Sequence, residues 1–173
     1  MKPAAGVAIE IIALTLALVG SLLVPSGMFY TVYVVAVEVM ATYLVHCPAH
    51  YLVGRIFGIR FSAIRIGRTG LAKLLPKRVG QMARFFPVPT LSTDKASLTA
   101  VSRTKVAAMY ASGTVASTAS AVAIAALLTV EGASLSSEAT WVVALVYLAF
   151  DLIFSPRGGD LFRAKNALKI LPV

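Results

Sequence analysis

Four long apolar stretches dominate the chain, and they are separated by two short turns and one long basic segment. They run over residues 4–24, 28–54, 106–130 and 141–156. The apolar run of the last one is short, and we expect its helix to include Ser155-Pro156. A helix needs about 20 mostly apolar residues to cross the hydrocarbon core of a bilayer. With 173 residues there is room for one domain, residues 1–173. The pattern therefore predicts an all-α polytopic membrane protein with four transmembrane helices.

The segment 55–105, between the second and third stretches, has a different pattern. Residues 57–67 alternate apolar and polar side chains, which is the period of a half-buried β-strand. Residues 71–86 mix Lys and Arg with apolar side chains, which predicts an amphipathic element on the membrane surface. Pro87-Val88-Pro89 and Ser92-Thr93-Asp94 predict loops. We expect a short β and amphipathic segment between helices 2 and 3.

Composition supports the membrane interpretation. Hydrophobic residues make up 58% of the chain and charged residues 13%, against about 45–50% and about 25% in soluble domains. These values exclude an ordinary soluble enzyme and a disordered tail. The single cysteine excludes an internal disulfide.

The net charge of +9 comes from an asymmetric distribution of Lys and Arg. With four transmembrane helices, all 16 basic residues fall on one side of the membrane, and the two opposite loops carry none. They are Lys2, Arg55, Arg60, Arg65, Arg68, Lys73, Lys77, Arg78, Arg84, Lys95, Arg103, Lys105, Arg157, Arg163, Lys165 and Lys169. Because basic loops stay cytoplasmic, we expect both termini in the cytoplasm of a protein of the plasma membrane. The charge then indicates contact with the anionic lipid bilayer and no nucleic-acid partner.

Candidate chemistry begins with His46 and His50, near the cytoplasmic end of the second stretch. Residues four apart share one face of a helix, so both imidazoles can reach one metal ion. The alternative is a pair of interfacial histidines that merely form hydrogen bonds. Ionisable residues within a membrane are costly and are usually functional, which favours the metal site.

The residues around this pair resemble the site-2 protease family of intramembrane zinc metallopeptidases. Residues 46–61 begin with H-C-P-A-H, where the family has an H-E-x-x-H helix, and continue into an apolar stretch, a Gly-Ile pair and a predicted strand. Residues 112–117 resemble the family's Gly-Pro…Asn segment, with Thr114 and Ser117 as departures. Residues 151–160 resemble its closing motif, with Asp151 in place of Asn. The resemblance covers about residues 34–165.

The resemblance implies a metal site of His46, His50 and Asp160, with zinc as the possible ion. Cys47 occupies the position of the glutamate that serves as general base. Pro48 also removes a backbone donor next to it and predicts a kinked helix. Glu38 and Asp151 are weak candidates for a substitute base, and each can equally be a structural, hydrogen-bonded carboxyl group. Residues 113–117 can equally be small residues that allow close helix packing.

Three functions follow as alternatives. The first is a catalytically inactive pseudoprotease or accessory subunit of a membrane complex, with a transmembrane protein as client or partner and a metal that is either retained or lost. The second is an active intramembrane zinc metallopeptidase with an unorthodox base. The third is a metal-free four-span scaffold. We expect the first, because removing a positioned acid–base group typically costs about 10²–10⁴-fold in rate.

Overall fold

The computed structural model describes residues 1–68 and 87–169 of the chain. Its elements in this part are seven helices and two strands. The helices are α1 (Pro3–Ser21), α2 (Met28–Leu44), α3 (His46–Ile56), α4 (Lys95–Thr99), α5 (Arg103–Val130), α6 (Ser134–Gly158) and α7 (Asp160–Lys169). The strands are β1 (Phe61–Arg68) and β2 (Pro87–Thr93). The amphipathic element predicted for residues 71–86 lies outside the described residues.

Four helices are long and apolar enough to cross a membrane, as the sequence predicted. They are α1, the continuous pair α2–α3, α5 and α6, and no more than a third of each apolar window is buried within the protein. Large apolar side chains such as Leu16, Phe29 and Val146 are exposed on their outer surfaces. An exposed apolar surface of this extent is typical of a protein that contacts lipid or other proteins.

The predicted boundaries differ from the observed ones most at the fourth stretch. The helix begins at Ser134, seven residues before the predicted start at Trp141. The intervening segment is polar, which is why its sequence does not suggest a membrane span. Two of its hydroxyl groups bond neighbouring helices: Ser136 lies 2.9 Å from the Thr31 hydroxyl, and Ser137 lies 2.6 Å from that of Thr129. The other boundaries shift by a few residues, with α1 ending earlier and α5 beginning earlier.

The second stretch is divided into α2 and α3 at Val45. Pro48 has no N–H to bond the carbonyl of Leu44, which lies four residues earlier and is the last residue of α2. Ala49 N–H bonds the carbonyl of Val45 at 3.0 Å, so the helical pattern resumes at once. The interruption between the two helices therefore falls directly before the histidine pair.

The strands form a two-stranded antiparallel sheet that pairs Ile64 with Leu91. The predicted strand is confirmed for Phe61 onward, whereas residues 57–60 form a turn in which Gly58 has φ of +82°. The loops predicted at Pro87-Val88-Pro89 and Ser92-Thr93 are wrong, because Pro87–Thr93 is β2. Asp94 caps the start of α4 through its Ala96 N–H contact.

Strand β2 tolerates its prolines because of the register of the sheet. The N–H of Ile64 donates to the carbonyl of Met1 at 3.1 Å, and the amino group of Met1 donates to the carbonyl of Ile64 at 3.4 Å. Both backbone groups of Ile64 therefore point away from β2. Its partner Leu91 consequently points away from β1, and so does Pro89, two residues earlier. A missing N–H at Pro89 thus removes no bond between the strands.

Helix α5 is the centre of the packing. It contacts α2, α3, α6 and α7, while α1 packs against α2 and approaches α3 and β1. Small residues allow these contacts: Ala121 and Ala125 of α5 and Ala144 of α6 are almost fully buried. Small side chains let helix backbones approach closely. This arrangement brings α3, the start of α5 and the junction of α6 with α7 together at one end of the bundle.

Candidate metal centre

His46, His50 and Asp160 come together at this end of the bundle. The two histidines lie on successive turns of α3, and Asp160 is the first residue of α7. His46 Nε2 lies 2.8 Å from Asp160 Oδ2, and His50 Nε2 lies 3.1 Å from the same oxygen. The two Nε2 atoms are 3.2 Å apart. These three residues form a group that can hold a metal ion.

The hydrogen bonds on the far side of each ring assign its tautomer. His50 Nδ1 lies 2.6 Å from the backbone carbonyl of Met109, which can only accept, so Nδ1 carries the hydrogen. Ser117 Oγ donates to the carbonyl of Thr42 at 2.6 Å and therefore accepts from His46 Nδ1–H at 3.1 Å. In the neutral rings, both Nε2 atoms then carry a lone pair.

Three electron-pair donors consequently face one another at 2.8–3.2 Å. A proton on one imidazole satisfies a contact with Asp160 but leaves the other ring's lone pair facing it. A metal ion satisfies all three atoms at once. Around a tetrahedral zinc with bonds of about 2.0–2.1 Å, ligand atoms lie about 3.3 Å apart, close to the spacing of this triangle.

Asp160 is held in place and charged by its neighbours. Burial alone raises the pKa of Asp160, but the hydrogen bonds and charges of His46 and His50 in their protonated form outweigh it, and the pKa then lies well below its usual range. Its other oxygen, Oδ1, lies 3.5 Å from Arg163 Nη1, one turn along α7. Ser155 Oγ accepts from the N–H of Leu161 at 3.2 Å and so fixes the start of α7.

Gly113 makes room for the His50 ring. A Cβ atom at this position would overlap the imidazole at its Nε2 atom. The predicted alternative, that residues 113–117 only allow close helix packing, therefore describes part of their role. Gly113 leaves room for the His50 ring, and Ser117 forms a hydrogen bond with the His46 ring.

Cys47 is not a member of this group, although it lines the cavity beside it. Its side chain is 1% exposed, and its thiol donates to the backbone carbonyl of Pro89 in β2 at 3.3 Å. Cys47, at the position of the expected general base, thus links α3 to the sheet through this hydrogen bond.

The two predicted substitute bases differ in location. Glu38 is fully buried in α2, its oxygens have no hydrogen-bond partner among the described residues, and it does not line the cavity beside the metal group. Asp151 does line that cavity and accepts a hydrogen bond from Thr118 Oγ1 at 2.9 Å. Only the second is therefore placed to act on a molecule bound there.

The cavity has a volume of about 690 Å³. Its wall includes all three residues of the metal group, Pro89–Thr93 of β2, and aromatic side chains of the helices. The participation of β2 and of the Met109 carbonyl has no signal in the sequence, since both depend on the backbone of segments distant in the chain.

No protein-family model, no curated protein and no solved structure matches the chain. The resemblance to site-2 proteases therefore stays a prediction that rests on the residues quoted above.

Proposed function

We propose that this chain is an integral membrane protein of the site-2-protease type that holds a divalent cation at His46, His50 and Asp160 and does not cleave peptide bonds. It serves as a pseudoprotease or accessory subunit that binds a transmembrane client. The observation that carries the proposal is the convergence of three lone-pair atoms within 3.2 Å.

Membrane insertion is supported by the four long apolar helices and by the position of the charges. In the sequence, every Lys and Arg falls in segments on the side that carries the metal group, which supports a location of the site and both termini at the cytoplasmic face of the plasma membrane. Asp160 follows the end of α6, and the histidines lie in the last part of the α2–α3 pair. All three are then close to the cytoplasmic boundary of the bilayer.

Zinc is the metal that best fits the donor set. Two neutral imidazoles and one carboxylate, with a fourth position left to water, form the usual open zinc site. The hydrogen bonds from the Nδ1 atoms to Met109 and Ser117 correspond to the outer contacts that orient histidine ligands in such sites. When bound, the ion supplies Lewis-acid polarisation of whatever occupies the open position.

Inactivity is supported by the chemistry of position 47. Peptide hydrolysis requires a group that takes a proton from the nucleophilic water and delivers one to the departing nitrogen. Cys47 is engaged with the carbonyl of Pro89 and faces the sheet. Asp160 is committed to the metal group. The chain's own residues therefore bind and orient a ligand without completing the proton transfers.

Client binding is supported by the cavity beside the metal group, whose wall includes Leu91 of β2. The N–H and carbonyl of Leu91 point away from β1, and Leu91 lines the cavity. These two groups can bond the backbone of an extended segment, so an unwound part of a client chain can contact β2 at Leu91, beside the metal. The next position on this edge offers no further bond, since Pro89 has no N–H and its carbonyl accepts from Cys47.

The second candidate, an active metallopeptidase, is favoured by one observation: Asp151 shares the cavity with the metal group. Zinc-loaded protein in liposomes, mixed with single-span peptides that carry a fluorescent reporter, distinguishes the two. We expect no cleavage above that of the His46→Ala variant. Cleavage that chelation and Asp151→Asn both abolish would establish the active enzyme and refute the pseudoprotease.

A further inference from the structure

We propose that Asp151 binds a positively charged side chain, Lys or Arg, in the membrane-spanning segment of the client. This inference rests on the proposed function, because it assigns a kind of client to the same cavity. Its basis is an incompletely paired carboxylate on the wall of that cavity.

One face of α6 is turned toward the cavity. Tyr147, Asp151 and Ser155 are four residues apart, so they lie above one another on the helix, and all three line the cavity. The same stripe ends near Asp160, which follows α6 by two residues. A segment that extends from the metal group along α6 therefore passes Asp151.

The Asp151 carboxylate has spare hydrogen-bonding capacity. Thr118 Oγ1 donates to Oδ2, and within residues 1–68 and 87–169 no other hydrogen bond or ion pair reaches this carboxylate. An acidic side chain within a membrane-spanning helix is costly, and it is normally paired with a cation or turned toward a functional cavity. Asp151 faces the cavity, and within residues 1–68 and 87–169 no cation forms an ion pair with it.

Within the described residues, the cavity wall holds no Lys or Arg that pairs with Asp151. Arg163 is the one Lys or Arg among the described lining residues, and its guanidinium is paired with Asp160 Oδ1, while His46 and His50 belong to the metal group. A cation carried by the occupant can take the open place beside Asp151. A positive charge on the incoming segment is attracted to the Asp151 carboxylate, whereas an acidic group there is repelled by it.

The depth of Asp151 specifies where the client carries its charge. It lies seven residues before Gly158, the last residue of α6, which corresponds to about 10 Å along the helix. A client with Lys or Arg about 10 Å from the same end of its own transmembrane helix matches this level. A charge at that depth is unfavourable in lipid alone, so the pairing also favours the client's entry into the cavity.

The test uses the full chain in nanodiscs of neutral phosphatidylcholine and synthetic Leu/Ala peptides of about 21 residues. The peptides differ at one position, about 10 Å from one end, which is Lys, Gln or Glu. Binding is measured by energy transfer between labelled protein and labelled peptide. We expect the Lys peptide to bind about tenfold or more tightly than the Gln peptide, and the Glu peptide to bind weakest.

Variants of the protein assign this preference to one carboxylate. Asp151→Asn keeps the shape and the acceptor for Thr118 and should bind the Lys and Gln peptides equally, whereas Asp151→Glu should keep the preference. Glu138→Gln removes the same charge from an exposed position on the same helix and should behave like the native chain. Helical circular dichroism checks that each variant is folded.

Equal binding of the Lys and Gln peptides by the native chain, absence of binding by all three peptides, or a preference that survives in Asp151→Asn overturns the inference. Zinc content, measured on the same samples, separates this result from the proposed function. A chain that holds zinc but shows no Lys preference refutes the inference alone. A chain that shows the preference but holds no zinc refutes the metal site alone.

Discussion

At the scale of single residues, Ser117 determines which nitrogen of His46 faces the metal group. Its hydroxyl hydrogen is used by the carbonyl of Thr42, so its oxygen accepts from His46 Nδ1–H. Ser117→Ala removes this acceptor, and we expect zinc affinity to fall about 10–100-fold. Titration against a competing chelator measures the change. Ser120→Ala is the matched control, since the bond that Ser120 makes among the described residues stays within its own helix, to the carbonyl of Ser117. Equal affinities in the two variants would contradict the tautomer assignment.

Gly113 allows a second test at the same scale. Gly113→Ala favours the helix by about 0.5–1 kcal/mol in intrinsic propensity, but its Cβ would overlap the His50 ring. We expect the variant to fold and to lose zinc, because His50 must move away from Asp160. Zinc content and circular dichroism are measured together. Ala119→Ser, which adds one atom on the exposed face of the same helix, should retain zinc, and retention in Gly113→Ala would show that the ring has other room.

The sequence indicates the residues of the metal group but not the contacts that orient them. His46 and His50 are four apart, which is a local property of a helix, and Asp160 follows from the resemblance of residues 151–160 to a known motif. The carbonyl of Met109 carries no side-chain signal, since every residue has a carbonyl. That it accepts from His50 depends on how α5 packs against α3, and this packing is set by the whole bundle.

At the scale of elements, the contact between α3 and β2 passes through Cys47. Its thiol donates to the carbonyl of Pro89. A glutamate here would place a carboxylate against that carbonyl, and two acceptors cannot bond each other. We expect Cys47→Glu to lower the free energy of unfolding by about 1–3 kcal/mol and to give no peptide cleavage.

Thermal unfolding and the liposome cleavage assay check this expectation together. Cys47→Ala is the control, because it removes the thiol without adding a charge and should be less destabilising. Cleavage by Cys47→Glu that depends on zinc would show that the general base alone was missing and that the sheet can move aside.

The elements differ in how well their sequences predict them. Long apolar runs predict α1, α2, α5 and α6 because burial in lipid is decided by composition over about 20 residues. This rule predicts neither the start of α6 nor any part of β2. In the polar first turns of α6, Ser136 and Ser137 bond Thr31 and Thr129. The prolines of β2 lie at positions whose N–H would point away from β1. Both depend on partners far away in the chain.

At the scale of the whole molecule, the position of the basic residues predicts its orientation in the membrane. Single cysteines introduced at Glu131 and at Lys169 test it, because the native Cys47 is buried and should not react with an impermeant maleimide. We expect labelling of Glu131→Cys from outside intact cells and of Lys169→Cys only after the membrane is opened. The reverse pattern would contradict the orientation and place the metal group on the outer face.

The central claim is that His46, His50 and Asp160 together hold one zinc ion. Its most direct test is the zinc content of the purified, detergent-solubilised chain after exposure to excess zinc and removal of the unbound metal. We predict one zinc per native chain and a loss of zinc affinity of more than about 100-fold in His46→Ala, His50→Ala and Asp160→Ala. The control variant Asp94→Ala, changed at the residue that precedes α4, should retain zinc. A native chain without zinc, or zinc retained by all three ligand variants, would contradict the account.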